Sequence, residues 1–163
     1  MNTSMDQTPS LKQTKIWVTE LHKDQRDKAG QPYIGHVLRV FNMLCEAFPD
    51  ASDHDRHAAL LHDVVEDCGV TFHDLEEKGY SVETIKAVEA VTKSPADGLT
   101  YMERIEKLAN EGPIGAIQIK ICDLTDNSDP QRLLKLPFEK ATSLDKRYQK
   151  ALSILKARLS SLK

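Results

Sequence analysis

In the stretch Ala58-Ala59-Leu60-Leu61-His62-Asp63-Val64-Val65-Glu66-Asp67-Cys68-Gly69, an apolar run leads into four side chains that can bind a metal or move a proton. Read as one helix, His62 stands four residues before Glu66, and Asp63 four before Asp67, so each pair stacks on one face. The two stacks are about 100° apart, and all four groups can border one wedge-shaped pocket. Leu60, Leu61, Val64 and Val65 supply the apolar side that fixes this helix in a core. A buried carboxylate without a partner is costly, so such groups are paired or bound to a metal. His-Asp alone is a common dipeptide, and the ordinary reading is a helix end with solvated acids, closed at Gly69. Polar groups elsewhere in the chain change that reading.

His36 falls one position from the centre of a broad apolar helix face made by Ile34, Val37, Leu38, Val40, Phe41, Leu44 and Cys45. Asp123 ends the apolar run Ile114 to Cys122, and Asn127 follows four residues on, on the same face if the helix continues. His36, His62 with Asp63, and Asp123 are therefore candidate metal ligands carried by three different helices. Imidazole plus carboxylate suits Mn²⁺, Fe²⁺, Co²⁺ or Zn²⁺ rather than Ca²⁺. Four protein ligands leave a six-coordinate ion open to water and a phosphate oxygen. Such an ion lowers the pKa of bound water and offsets charge in a phosphoryl transition state. Glu66 and Asp67 would accept the water's proton or donate one to the leaving oxygen.

The elements that must position these groups read as helices throughout. Residues 1–9 are expected to form a flexible tail, and 10–163 a single domain. Helix 1 is expected from Ser10 through the charged run Lys23 to Lys28, stopping at Ala29-Gly30. Pro32 to Phe48 forms the second helix, and His54 to Asp67 the third. Thr71 and Ser81 are caps for the next two, the latter over Val82 to Thr92. Ser94 to Gly98 is a loop, and Thr100 to Asn110 is amphipathic. The Ile-rich run at 114–123 resembles a strand in composition, but no other segment has a strand's period, so a buried helix is expected. Pro130 to Pro137 is a short helical or turn segment. Glu139 to Leu162 is a packing helix, with Leu144, Tyr148, Leu152, Leu155 and Leu159 along one side. The fold class is all-α, a single bundle of about seven to nine helices.

The 163 residues suffice for one domain, and 40% hydrophobic with 29% charged residues is ordinary for a globular protein. A net charge of −3 gives no broad footprint for nucleic acid or an anionic membrane. No apolar run approaches the about 18–20 residues of a membrane span, and the polar start lacks a signal peptide's apolar centre. Cys45, Cys68 and Cys122 have no CxxC spacing and read as reduced thiols of a cytoplasmic protein. Oligomeric state, monomer or homo-oligomer, stays open.

The order His36…His62-Asp63…Asp123 is similar to the H…HD…D signature of the HD superfamily of metal-dependent phosphohydrolases. More narrowly, the chain resembles a small stand-alone form of the RelA/SpoT hydrolase domain. The matching blocks are His22 to Gln25 with Lys28 to His36, Ala59 to Asp67, Val88 to Lys93, and Ile119 to Asn127. They cover roughly residues 11–160 of the chain. The resemblance implies an HD helical bundle binding Mn²⁺, or another divalent transition metal, through His36, His62, Asp63 and Asp123. It implies that Glu66 and Asp67 work with the metal's water, and that Asn127 contacts substrate or supports the ligands. The implied reaction removes the 3′-pyrophosphate of guanosine tetra- or pentaphosphate, a phosphorylated-nucleotide substrate of the stringent response.

One departure bears on the substrate. The family carries Arg-Lys before its Gly-x-Pro-Tyr segment, with the Arg packed on the guanine base. Counting back from His36, Lys28 keeps the Lys, but Asp27 stands at the Arg position and Arg26 precedes it. An acid cannot stack as a cation on a base, so Lys28 and Arg26 are the basic candidates for substrate binding. A nucleotide phosphatase or pyrophosphatase with a different base preference is the enzymatic alternative, and a non-catalytic HD nucleotide-binding module the other. On this reading Asp27→Arg is expected to improve guanine selectivity.

Overall fold

Six helices begin at side-chain caps: Ser10, Ser52, Thr71, Ser81 and Thr100 each accept from the backbone N–H three residues on, and Asp129 from that of Gln131, groups that would otherwise be unpaired at a helix start. Gln13, Asp74 and Glu103 bond back to the cap N–H groups of Ser10, Thr71 and Thr100, completing capping boxes. These helices are seen in a computed structural model that describes residues 7–162. In order, they are α1 (Leu11–Leu21), α2 (Tyr33–Ala47), α3 (Asp53–Leu61), α4 (Val64–Asp67), α5 (Phe72–Glu77), α6 (Val82–Val91), α7 (Tyr101–Glu111), α8 (Ile114–Asn127), α9 (Pro130–Leu133) and α10 (Phe138–Ser161). Among the described residues there is no strand, only one antiparallel bridge between Arg26 and Pro32. Residues 1–6, most of the expected tail, lie outside the described residues, while the Thr8 hydroxyl donates to the Gly79 carbonyl at 2.8 Å.

Two helices make the centre. α3 packs on α1, α2, α6 and α8, and α8 packs on α2, α3, α6, α7 and α10. The Ile-rich run is indeed helical, and Ala116, Ile117 and Ile119 are wholly buried where α8 crosses the bundle. The helix continues past Asp123 to Asn127, as their common face required. No described helix is long and apolar enough to cross a membrane.

Two expected elements differ. Helix 1 ends at Leu21, not at Lys28. The buried His22 ring closes it, with Nδ1 2.7 Å from Gln25 Oε1, and a loop follows in which Asp27 Oδ1 accepts from both Ala29 N and Gln31 N at 2.9 Å. Short polar side chains have taken the backbone's partners, and the helix cannot propagate. Gly30, with φ of 82°, turns the chain back toward α2.

The third helix is broken at His62-Asp63 into α3 and α4, while the Asp67 N–H still bonds to the Asp63 carbonyl at 2.9 Å and His62 and Glu66 border one cavity. His62 Nδ1 donates to the Ala59 carbonyl at 2.7 Å, at the place where the backbone ladder would continue. Counted as one bent helix, α3–α4 leaves nine helices among the described residues.

Candidate functional site

His36 lies in the first turns of α2, His62 at the end of α3, and Asp123 in the last turns of α8. The three packed helices bring one donor atom from each within 4.8 Å of the others, and all three residues are buried. His36 Nε2 is 2.9 Å from Asp123 Oδ1, and His62 Nε2 is 3.6 Å from the same oxygen. Asp63, turned inward by the helix break, places Oδ2 at 2.9 Å from His62 Nε2 and 4.0 Å from His36 Nε2. Asp63 therefore lies beside the cluster, whose mutually close donors are those of His36, His62 and Asp123.

A further set of side chains holds them there. Tyr33 OH donates to Asp63 Oδ2 at 2.5 Å. Lys120 Nζ donates to Asp123 Oδ2 at 3.0 Å, and Asn127 Nδ2 to Asp123 Oδ1 at 3.3 Å. Asp126, 1% exposed, accepts from His36 Nδ1 at 2.7 Å, from Arg39 Nε at 2.7 Å and from Arg132 Nη1 at 2.8 Å. Burial works against ionisation of Asp126, but His36 and Arg39 outweigh it and bring its carboxyl down to about 2. Burial likewise disfavours charge on His36 and His62, yet the surrounding aspartates raise both rings above the usual imidazole value. Asp123 runs the other way: burial opposes its charge, and Lys120 and the two histidines hold it well below the usual range.

This donor set fits a divalent transition metal. A carbonyl can only accept, so His62 Nδ1 carries a proton, and in the neutral ring that a metal ligand requires Nε2 offers a lone pair toward the cluster. That buried Nε2 has no hydrogen-bond partner, since Asp63 Oδ2 is near but outside hydrogen-bond geometry. His36 is arranged in the same way, with Nδ1 on a carboxylate and Nε2 inward. A carboxylate or carbonyl behind each imidazole is how metal-ligating histidines are oriented.

Two cavities flank the cluster. The smaller, about 290 Å³, is bordered by Lys28, Arg26, Tyr33, Asp67 and Asn127, with Leu133, Leu136, Leu144 and Tyr148 as its apolar wall. The larger, about 730 Å³, contains His62, Asp63, Glu66, Lys120 and Asp123. As consecutive residues of α4, about 100° apart around the helix, Glu66 borders one cavity and Asp67 the other. Glu66 Oε1 accepts from the Lys93 N–H, and Asp67 Oδ2 from Gln25 Nε2 at 3.2 Å. The protein around them desolvates both carboxyls, and with Asp63 nearby both are raised.

Asp27 does not line the site as a free acid. Its side chain is 5% exposed and its Oδ2 accepts from Arg132 Nη2 at 3.0 Å, while Arg132 Nη1 also reaches Asn127 Oδ1 at 3.0 Å. Burial pulls this carboxyl up, but the N–H groups of Gln31 and Ala29 and the guanidinium keep it below the usual range. Roles for Tyr33, Lys120, Asp126, Arg39 and Arg132 did not follow from the sequence. Asp126 had a signal, one helical turn beyond Asp123, but the arginines reach it from 87 residues before and six after.

A protein-family model described as an HD domain matches residues 15–118. The guanosine-3′,5′-bis(diphosphate) 3′-pyrophosphohydrolase of Vibrio cholerae is 34% identical over 130 residues, 74% of this chain and 18% of the relative. The bifunctional (p)ppGpp synthase/hydrolase SpoT of Escherichia coli is 32% identical over 131 residues, 75% of this chain and 18% of that one. The chain thus spans less than a fifth of the length of these two relatives. The pyrophosphohydrolase MESH1 of Danio rerio is 33% identical over 121 residues, 73% of this chain and 66% of its own. A solved structure, described as a metazoan ortholog of SpoT that hydrolyzes ppGpp and plays a role in starvation responses, superimposes with a TM-score of 0.72. It is 26% identical, and 94% of each chain is covered.

Proposed function

We propose, from the premise that this chain belongs to the HD-domain family, that residues 10–163 act as a metal-dependent phosphohydrolase of phosphorylated nucleotides. The substrate we infer is guanosine tetra- or pentaphosphate, losing its 3′-pyrophosphate. The observation that carries this is the convergence of His36, His62 and Asp123 within 4.8 Å, beside two cavities of which one is bordered by Glu66 and the other by Asp67.

His36, His62, Asp63 and Asp123 would hold a divalent ion, Mn²⁺ or another transition metal. When bound, that ion lowers the pKa of a water and offsets charge on the phosphoryl oxygens. The chain's own residues do the rest. The smaller cavity takes the nucleoside, with the base against Tyr148 and Leu144 and the 5′-phosphates on Lys28 and Arg26. Glu66, in the larger cavity, accepts the proton of the attacking water, a role its raised carboxyl pKa suits. Asp67, on the nucleoside side, gives a proton to the departing 3′-oxygen. The water oxygen bonds to the phosphorus attached to the 3′-oxygen, and that P–O3′ bond breaks. One hydroxyl ends on pyrophosphate and one proton on the 3′-oxygen. The three free cysteines fit a reducing compartment, and a cytoplasmic site of action belongs to this proposal.

The test is pyrophosphate release from guanosine tetraphosphate by Mn²⁺-loaded protein, with Asp123→Ala as control. Release that the variant abolishes supports both reaction and site. One observation favours a second reading, the same chemistry on a nucleotide of another base: Asp27, at the family's base-stacking position, is committed to Arg132. Turnover of adenine or pyrimidine analogues ahead of the guanine compound would decide for it. Nucleotide binding without turnover of any analogue would instead mark a non-catalytic module.

A further inference from the structure

Arg147, on α10, lies with its guanidinium carbon 4.2 Å from the centre of the Tyr101 ring of α7. A cation–π contact of this kind fixes a guanidinium in place without neutralising it. Arg147 is exposed at the larger cavity and, among the described residues, no carboxylate lies within ion-pair distance of it. Arg104 in the same cavity is different: Nη2 and Nε reach Asp97 Oδ1 and Oδ2 at 2.7 and 3.0 Å, so its charge is already matched.

Two more donors border this cavity. The Tyr101 hydroxyl is buried and has no hydrogen-bond partner, which is costly for a polar group unless something binds there. Lys120 contacts Asp123 Oδ2 at 3.0 Å and so stands beside the position of a phosphorus under attack, with two ammonium protons still available. Of the acids nearby, Asp97 is engaged with Arg104, Glu66 with the Lys93 N–H, Asp63 with Tyr33, and Asp123 with the histidines and Lys120, while the exposed Glu89 and Glu111 border the same cavity together with Lys93 and Lys107. Positive charge also crowds in from the nucleoside side, where burial, Lys140 and Arg147 together lower the Lys28 ammonium.

We propose that Arg147, Lys120 and the Tyr101 hydroxyl form an anion subsite that receives the pyrophosphoryl group transferred to water, with Lys120 at the phosphoryl group nearest the metal ligands. This rests on the reaction proposed above. It makes the larger cavity the pyrophosphate side and the smaller one the nucleoside side.

The experiment is calorimetric titration of Mn²⁺-loaded, full-length protein with inorganic pyrophosphate. The ligand is supplied as its Mn²⁺ complex at constant free Mn²⁺, and orthophosphate is titrated in parallel. Losing a charge-assisted contact should weaken pyrophosphate binding ~10–100-fold in Arg147→Ala. Arg147→Lys should recover part of that loss, and Tyr101→Phe, which keeps the ring, should lose less than Arg147→Ala. Mn²⁺ affinity and Tm should stay at the values of the unaltered protein, and orthophosphate should respond less than pyrophosphate. No pyrophosphate binding by the unaltered protein, or equal binding by Arg147→Ala and Tyr101→Phe with Mn²⁺ retained, overturns the subsite. Because the readout is binding, it separates from the reaction itself. Arg147-dependent pyrophosphate binding in a protein that leaves guanosine tetraphosphate intact would keep the subsite and remove the reaction.

Discussion

Asp126 Oδ2 accepts from His36 Nδ1 at 2.7 Å, joining residues 90 apart in sequence and one helical turn from Asp123. Arg39 and Arg132 keep that carboxylate ionised and oriented. With Nδ1 occupied, the inward Nε2 of His36 is the atom left for a ligand. Asp126→Ala should therefore weaken Mn²⁺ binding about 10–100-fold, the usual effect of removing the group behind a metal-ligating imidazole. Calorimetric Mn²⁺ titration checks this, and an unchanged affinity would detach Asp126 from the metal centre.

The same residue should make stability pH-dependent. Its carboxyl lies at about 2 in the folded protein against an ordinary 3.8. A depressed folded pKa means stability that is fully present above the ordinary value and is lost as pH falls through the folded one. The window is therefore pH 4 down to about 2, and the contribution about 2 kcal/mol. Urea unfolding of the unaltered protein and Asp126→Asn at pH 6 and pH 2.5 measures it. The two should differ at pH 6 and converge at the lower pH, and a constant difference would assign the effect to packing.

The helices and the grouping of His36, His62 and Asp123 were legible because they rest on local rules. The caps Thr71 and Ser81 and the period of 114–127 act within a few residues. His36 and Asp123 stood out as lone polar groups on apolar helix faces. The break at His62-Asp63 was not legible, since it depends on a histidine ring bonding to the Ala59 carbonyl and on Tyr33 drawing in Asp63. Nor was the partner of Asp27, because Arg132 is 105 residues away. Spacing can place a residue on a face, but such contacts are made only once the bundle has closed.

Asp123→Ala removes a proposed ligand whose carboxylate also anchors Lys120, His36 and Asn127. Metal binding and turnover should both be lost, while most helical structure persists because the bundle's core does not pass through this carboxylate. Metal content by elemental analysis and far-UV circular dichroism test the two halves separately. Surviving activity would displace Asp123 from the ligand set.

Glu66→Gln should leave metal binding intact and lower turnover ~10²–10⁴-fold, the range for losing a general acid or base. If Glu66 serves as base on the pyrophosphate side, away from the nucleoside, the variant's loss should be nearly the same for guanosine tetraphosphate and for analogues of other bases. Normal turnover in the variant would leave Asp67 alone to serve the reaction.

Asp27→Arg looked from the spacing like a simple restoration of a base-stacking cation. The contacts of Asp27 predict otherwise. Its carboxylate holds the Ala29 and Gln31 N–H groups and the Arg132 guanidinium, and the side chain is nearly buried. An arginine there would free two loop donors and set two guanidinium groups against each other beside Asp126 and Asn127. The expected result is a loss of about 2–3 kcal/mol of stability, with weaker nucleotide binding and no gain in guanine selectivity. Denaturant unfolding together with turnover of guanine and adenine substrates checks both parts. A stable variant with improved guanine preference would show that the 22–32 loop can rebuild itself around a cation, and that Arg132 does not depend on Asp27 for its position.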